Sequence, residues 1–119
     1  MAIAAANALN INPDDVIVCS TGIIGQQVPV EKIEKNIMNL KNGLSKEGHK
    51  DASIGIMTTD TQNKECAVQF ELDGKVVTIG TMCKGSGMIH INMGTMLGFI
   101  ATDCNITSAM LDKALHESI

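Results

Sequence analysis

The chain has 119 residues, with nine Lys, no Arg, thirteen Asp and Glu, and a net charge of −4. This balance excludes a basic field for a nucleic-acid backbone or an anionic membrane, and two Phe without Trp or Tyr provide no stacking platform for single-stranded nucleic acid. The length allows one domain with a real core, and neither nucleic acid nor a membrane is expected as a partner.

The first half of the chain predicts a central amphipathic helix between shorter elements. Small residues at the start indicate a short helix, and the apolar run 16–19 after "NPDD" predicts a buried strand that enters the turn "STGIIG". In "PVEKIEKNIMNLKNGL", Pro29 lies in the first turn and apolar side chains recur three and four residues apart, which predicts a helix. Residues 42–51 predict a polar surface loop.

The second half predicts strands and a closing helix. In "CAVQFELDGKVVTIG", apolar residues alternate on both sides of a two-residue Asp-Gly loop, which predicts a hairpin that pairs Phe70 with Val77. The same register pairs Val68 with Ile79. The runs at 54–57 and 95–101 predict further strands, and "ITSAMLDKALHESI" predicts a helix. No repeat or linker divides the chain, so we expect a mixed α/β (α+β) fold in a single unit over residues 1–119.

The cysteines and the N-terminus indicate the compartment. Cys19, Cys66, Cys83 and Cys104 contain no CxxC pair, so neither a zinc site nor a redox motif is predicted, and buried free thiols are expected. The N-terminus lacks the basic region of a secretory signal, and no apolar run is long enough to span a bilayer. These features predict a soluble protein in a reducing, cytoplasmic environment.

Three motifs rich in glycine or in hydroxyl groups contain candidate functional residues, and each has an ordinary structural alternative. In "STGIIG", the Gly22 N–H and the Thr21 hydroxyl could hold an oxyanion, or the segment is a plain turn. The hydroxyls of "MTTDT" could orient a polar substrate, or the segment is a capped turn. In "KGSG", Lys84 follows Cys83 and not the glycine that a phosphate-binding loop needs, so a solvated turn is favoured for this motif alone.

Thr95 and three histidines complete the set of candidates. Thr95 stands directly after Gly94 in an apolar run, where a hydroxyl costs free energy unless it is hydrogen-bonded. It is therefore either a satisfied strand threonine or a chemical group. His49, His90 and His116 lack the spacing of metal ligands, so neither a catalytic role nor a metal site is assigned to them.

Taken together and in this order, "STGIIG", "MTTDT", "KGSGMI" and "NMGTML" resemble the glutamate N-acetyltransferase family, also called ornithine acetyltransferase, over nearly all 119 residues. The resemblance implies the four-layer α/β/β/α fold of that family and a place in the cyclic pathway of arginine biosynthesis. It also implies self-cleavage that creates a threonine nucleophile. The sequence departs from the usual family motif at Ile91, where the family has proline, and at Gly94, where it has alanine.

The resemblance assigns roles to particular residues. It implies cleavage at Gly94-Thr95, which divides the chain into residues 1–94, the end of an α chain, and residues 95–119, the start of a β chain. Thr95 would then be the nucleophile and part of the substrate site, and Thr21 and Gly22 would form the oxyanion hole. Lys84 and Thr58 would bind substrate, with the adjacent Thr59 as an alternative to Thr58.

The implied reaction moves an acetyl group from N-acetylornithine to glutamate through an acetyl-threonine intermediate. The new N-terminal amine would serve as general base for the hydroxyl of the same residue, so no metal or organic cofactor is expected. Expected partners are the two substrates, the remaining segments of the α and β chains, and further αβ units in an oligomer. Use of acetyl-CoA as an additional donor is left open.

Two other functions are compatible with the sequence. Family members are several times longer, so the chain resembles a central fragment, and alone it is expected to be inactive and either poorly folded or associated. It could therefore be an inactive structural fragment. It could also be a small-ligand binding module that uses the glycine turns without chemistry, in which case the Gly94-Thr95 bond would stay intact.

Overall fold

The computed structural model describes residues 1–23, 25–85 and 97–118, which belong to two compact units, Met1–Ile56 and Met57–Ile119. The first unit contains helices α1 (Ala2–Leu9), α2 (Val30–Asn42) and α3 (His49–Gly55) and a 3-10 helix at Pro13–Asp15. The second contains strands β1 (Lys64–Leu72), β2 (Lys75–Lys84) and β3 (Leu97–Thr102), followed by helix α4 (Ser108–Ser118).

In the first unit, α1 packs against α2 because its alanines allow close approach. Ala6 and Ala8 are buried, and Asn10 caps the C-terminus of α1 with a left-handed backbone, its N–H donating to the Ala6 carbonyl. The predicted amphipathic helix is confirmed as α2, with Ile33 and Ile37 half-buried. The apolar side chains at every third and fourth position therefore form the face that α2 turns towards α1.

Two strand predictions in the first unit are wrong. Residues 16–19 are extended but unpaired, and Ile17 is 89% exposed. An apolar run becomes a strand only where another strand accepts its backbone hydrogen bonds, and none is described between residues 1 and 56. The run 54–57 is largely the end of α3, whose last turn is closed by the Ile56 N–H on the Ala52 carbonyl. Because α3 begins at His49, residues 49–51 of the predicted surface loop 42–51 are helical.

In the second unit, the predicted hairpin is confirmed in its register. β1 and β2 are antiparallel, with Phe70 opposite Val77 and Val68 opposite Ile79. Asp73 and Gly74 both have positive φ, 50° and 72°, as a two-residue hairpin loop requires. β3 pairs antiparallel with β2, giving the strand order β1-β2-β3.

The remaining strand and helix predictions for the second unit are confirmed within its described residues. β3 covers 97–101 of the predicted strand, whose first two positions lie outside the described residues. The closing helix is α4, and Thr107 caps it by accepting the Met110 N–H at 3.3 Å. Helices together with an antiparallel sheet confirm the mixed α+β class.

The apolar core is small. Among the described residues, the buried apolar side chains are Ala6, Ala8 and Val77, whereas every residue of β1 is exposed. The cysteines are free, but Cys19 and Cys66 are exposed and the other two are half-buried, so the expectation of buried thiols is wrong. No helix in the described ranges is both long and apolar enough to cross a membrane.

Candidate functional site

The candidate site lies where β2 ends. Lys84 is the last residue of β2, and its Nζ donates to the Thr58 Oγ1 at 2.6 Å, across a separation of 26 residues. Thr58 lies in the loop that precedes β1. Gly85 follows with a φ of 147°, which glycine adopts far more readily than other residues. The structure therefore brings two of the predicted motifs, "MTTDT" and "KGSG", into direct contact.

Asp60 joins the same two motifs through its carboxylate. Its Oδ1 accepts the Gly85 N–H at 3.1 Å and the Lys64 Nζ at 2.5 Å, and its Oδ2 accepts the Thr58 N–H at 3.3 Å. The Asp60 side chain is only 1% exposed, whereas that of Lys64 is 42% exposed. A nearly buried carboxylate with three donors is satisfied, because each donor replaces a hydrogen bond that water would otherwise supply.

These donors also set the protonation state of Asp60. The hydrogen bond from the Lys64 ammonium, and then that from the Gly85 amide, hold the pKa of the Asp60 carboxyl well below its ordinary value. Burial acts in the opposite direction but does not prevail. Asp60 is therefore a carboxylate at neutral pH, with its charge paired to Lys64.

Lys64 and Lys84 consequently differ in how much of their positive charge is available to a ligand. The charge of Lys64 is balanced by Asp60, whereas Lys84 donates to the neutral hydroxyl of Thr58. A half-buried ammonium whose hydrogen-bond partner is a neutral hydroxyl can still donate to an incoming anion. The arrangement can thus bind a carboxylate on a small molecule.

The other predicted site residues belong to other parts of the chain. Thr21 and Gly22 are exposed loop residues of the first unit, and a Cβ added at Gly22 would meet nothing within 4 Å. Gly94 and Thr95, at the predicted cleavage junction, lie outside the described residues. The roles assigned to these four residues remain predictions.

Sequence reasoning overlooked Asp60 and Lys64. The interpretation of "MTTDT" as a capped turn gives Asp60 no part in a site, and none of the motifs contains Lys64. The available signal was an acid between threonines and four residues before a lysine, outside any helix. That spacing alone does not reveal a contact with Gly85, 25 residues away. Within the ranges 1–23, 25–85 and 97–118, no cluster of three His, Cys, Asp or Glu side chains could hold a metal ion.

Fold and site together define an α+β protein with a hydrogen-bonded lysine–threonine pair suited to an anionic small molecule. A family model described as the ArgJ family matches residues 1–119. The chain therefore belongs to the ArgJ family, which confirms the resemblance carried by the four motifs.

Curated relatives agree with this assignment. The chain is 49% identical over 119 residues to the arginine biosynthesis bifunctional protein ArgJ of Caldanaerobacter subterraneus subsp. tengcongensis, covering 100% of this chain and 30% of that protein. It is 50% identical over 119 residues to arginine biosynthesis bifunctional protein ArgJ 1 of Clostridium acetobutylicum, of which it covers 29%. The chain thus spans about 30% of the length of these relatives.

Proposed function

We propose that this chain forms part of a cytoplasmic acetyltransferase that moves an acetyl group from N-acetylornithine to glutamate. Support comes from the family, from relatives named as arginine biosynthesis bifunctional proteins, and from the site at the end of β2. The single observation that carries the proposal is the 2.6 Å hydrogen bond from Lys84 to Thr58, because the sequence predicts that both of these residues bind substrate.

The proposed mechanism begins with cleavage of the chain. The Thr95 Oγ attacks the Gly94 carbonyl, the peptide bond breaks as an ester forms, and water hydrolyses the ester to leave a free amine on Thr95. Residues 1–94 then end the α chain and residues 95–119 begin the β chain. The new amine accepts the proton of the Thr95 hydroxyl and so activates a side chain that would otherwise be a weak nucleophile.

Acetyl transfer follows in two halves. Thr95 attacks the acetyl carbonyl of N-acetylornithine, ornithine leaves, and glutamate then takes the acetyl group from the threonine ester. The Thr21 hydroxyl and the Gly22 N–H stabilise the oxyanion in both halves. The Lys84 ammonium, oriented by Thr58, binds the substrate α-carboxylate as a point charge. Acetyl-CoA as an additional donor fits the same ester intermediate.

The exposed face of the hairpin supports the proposal of a four-layer fold. Val68, Phe70 and Leu72 alternate along one face of β1 and are 51%, 43% and 50% exposed. An apolar sheet face of this kind is stable when another layer covers it. We place the covering layer in further segments of the α and β chains and propose an oligomer of αβ units.

Mass spectrometry of the complete gene product tests the cleavage. We expect two chains, with the N-terminal sequence "TMLGFIATD" on the second. Thr95→Ser should retain some cleavage and ornithine release, because it keeps the hydroxyl, whereas Thr95→Ala should lose both. An active protein with an intact Gly94-Thr95 bond would contradict the mechanism. An intact, inactive protein that still bound N-acetylornithine would instead be a binding module.

A further inference from the structure

We infer that Asp60 is a positioning residue of this site: its carboxylate fixes the main chain at Thr58 and at Gly85, so that the Thr58 hydroxyl and the Lys84 ammonium are presented together to the substrate carboxylate. The inference rests on the proposed function for the identity of that substrate. It concerns a residue that the resemblance did not assign and that the proposed chemistry does not use.

The bonds of Asp60 reach both halves of the pair through the main chain. The carboxylate accepts the N–H of Thr58 itself and the N–H of Gly85, the residue directly after Lys84. Two anchors on one nearly buried group restrict the distance between the two segments, because a carboxylate has a fixed geometry and Asp60 has a short side chain. The Lys84 Nζ and the Thr58 Oγ1 then meet without direct contact with Asp60.

The partner of Asp60 explains why the pair keeps its charge. Lys64 lies beside the Asp60 Oδ1 and balances the buried carboxylate. Because Lys64 neutralises Asp60, the carboxylate of Asp60 does not neutralise the positive charge of Lys84. Asp60 therefore organises a cationic site although it is itself an anion.

The test uses Asp60→Asn in the complete gene product, with Asp103→Asn as the matched control. Asp103 likewise accepts a backbone N–H, that of Thr78 in β2 at 2.8 Å, and within the described part of the chain it has no hydrogen bond to either motif. We expect Asp60→Asn to raise KM for N-acetylornithine about tenfold or more, because the Lys84 ammonium and the Thr58 hydroxyl would no longer be held together, and a misplacement of about 1 Å can cost on the order of 10²-fold. The kcat should change much less, and Asp103→Asn should change neither value.

A second measurement does not depend on acetyl transfer. Reductive methylation of lysines, followed peptide by peptide with mass spectrometry, reports how firmly the Lys84 ammonium is held. In Asp60→Asn the labelling rate of Lys84 should rise several-fold relative to Lys75, an exposed lysine beside the hairpin loop. In Asp103→Asn the ratio should equal that of the wild type.

The outcomes separate the inference from the proposed function. Wild-type protein that releases no ornithine would end the proposed function, while the labelling ratio would still decide the role of Asp60. Active wild type with an unchanged KM and an unchanged ratio in Asp60→Asn would overturn the inference. An equal fall in kcat in Asp60→Asn and Asp103→Asn would also overturn the inference, because it would indicate a general structural effect of losing either carboxylate. If Asp60→Asn does not accumulate as folded protein, Asp60→Glu undergoes the same measurements and the same outcomes decide.

Discussion

Removal of the Thr58 hydroxyl perturbs the candidate site at one atom. Thr58→Val keeps the shape of the side chain and removes the oxygen that lies 2.6 Å from the Lys84 Nζ. Thr58 is exposed and Lys84 is half-buried, so water can replace the lost acceptor without leaving an unsatisfied buried charge. The substitution should therefore loosen Lys84 without unfolding the loop.

The size of the effect follows from the type of bond. A hydrogen bond to a charged group contributes about 1.5–3 kcal/mol, and exposure of Thr58 favours the lower end of this range. A loss of about 1.4 kcal/mol corresponds to a tenfold change in an equilibrium constant. Since Lys84 is proposed to bind the unreacting carboxylate, the loss should appear as an increase of about tenfold in KM, with kcat little changed.

Steady-state ornithine release by the complete gene product measures both constants. Thr59→Val tests the alternative assignment within "MTTDT". Thr81→Val is the control for loss of a threonine hydroxyl outside this motif, because Thr81 lies in β2 and donates to the Cys66 carbonyl at 3.4 Å. An unchanged KM in Thr58→Val with a raised KM in Thr59→Val would move the substrate contact to Thr59. If KM is unchanged in both variants, a role for this motif in substrate binding is refuted.

Further outcomes test other parts of the protein. Thr21→Val, which removes a proposed oxyanion donor, should lower acetyl transfer about 10²-fold or more, measured as ornithine release. Gly74→Ala should destabilise the complete gene product by about 1–2 kcal/mol in urea unfolding, because φ is 72° with open space around the site, whereas Gly80→Ala, also in open space but without positive φ, should not. The stability contributed by Asp60 should be present above its ordinary pKa of 3.8 and be lost as the pH falls below it, so the difference in urea midpoint between wild type and Asp60→Asn should shrink there. The isolated 119-residue chain should release no ornithine and should associate in size-exclusion chromatography, because apolar side chains of β1 are exposed; a monomer that released ornithine would contradict this.

Elements whose signals are local could be predicted from the sequence. The hairpin register follows from alternation on each side of an Asp-Gly loop, and α2 follows from apolar spacing of three and four. In both cases the residues that specify the element are also the residues that form it. The strand predictions for 16–19 and 54–57 are wrong because a short apolar run is compatible with either a strand or a helix until a pairing strand is known.

The candidate site could be predicted only in part, for a related reason. Motif resemblance selected Lys84 and Thr58, and their contact is present in the structure. It did not reveal Asp60, whose role depends on a hydrogen bond to a residue 25 positions away. It also could not separate Thr58 from Thr59, because residues of an irregular loop have no fixed period that determines which hydroxyl faces the lysine.

The two lysines show how such long-range pairing determines chemistry. Lys64 is the first residue of β1, and Lys84 is the last residue of β2. Because β1 and β2 are antiparallel, these two strand ends lie side by side. Composition gives them equal charge, but the structure pairs Lys64 with Asp60 and gives Lys84 a hydroxyl. Because an ammonium already paired with a buried carboxylate gains less from a second anion than one held by a neutral partner, an incoming carboxylate should favour Lys84. The position of Asp60 thus decides that Lys84, and not Lys64, is the lysine available to bind a substrate carboxylate.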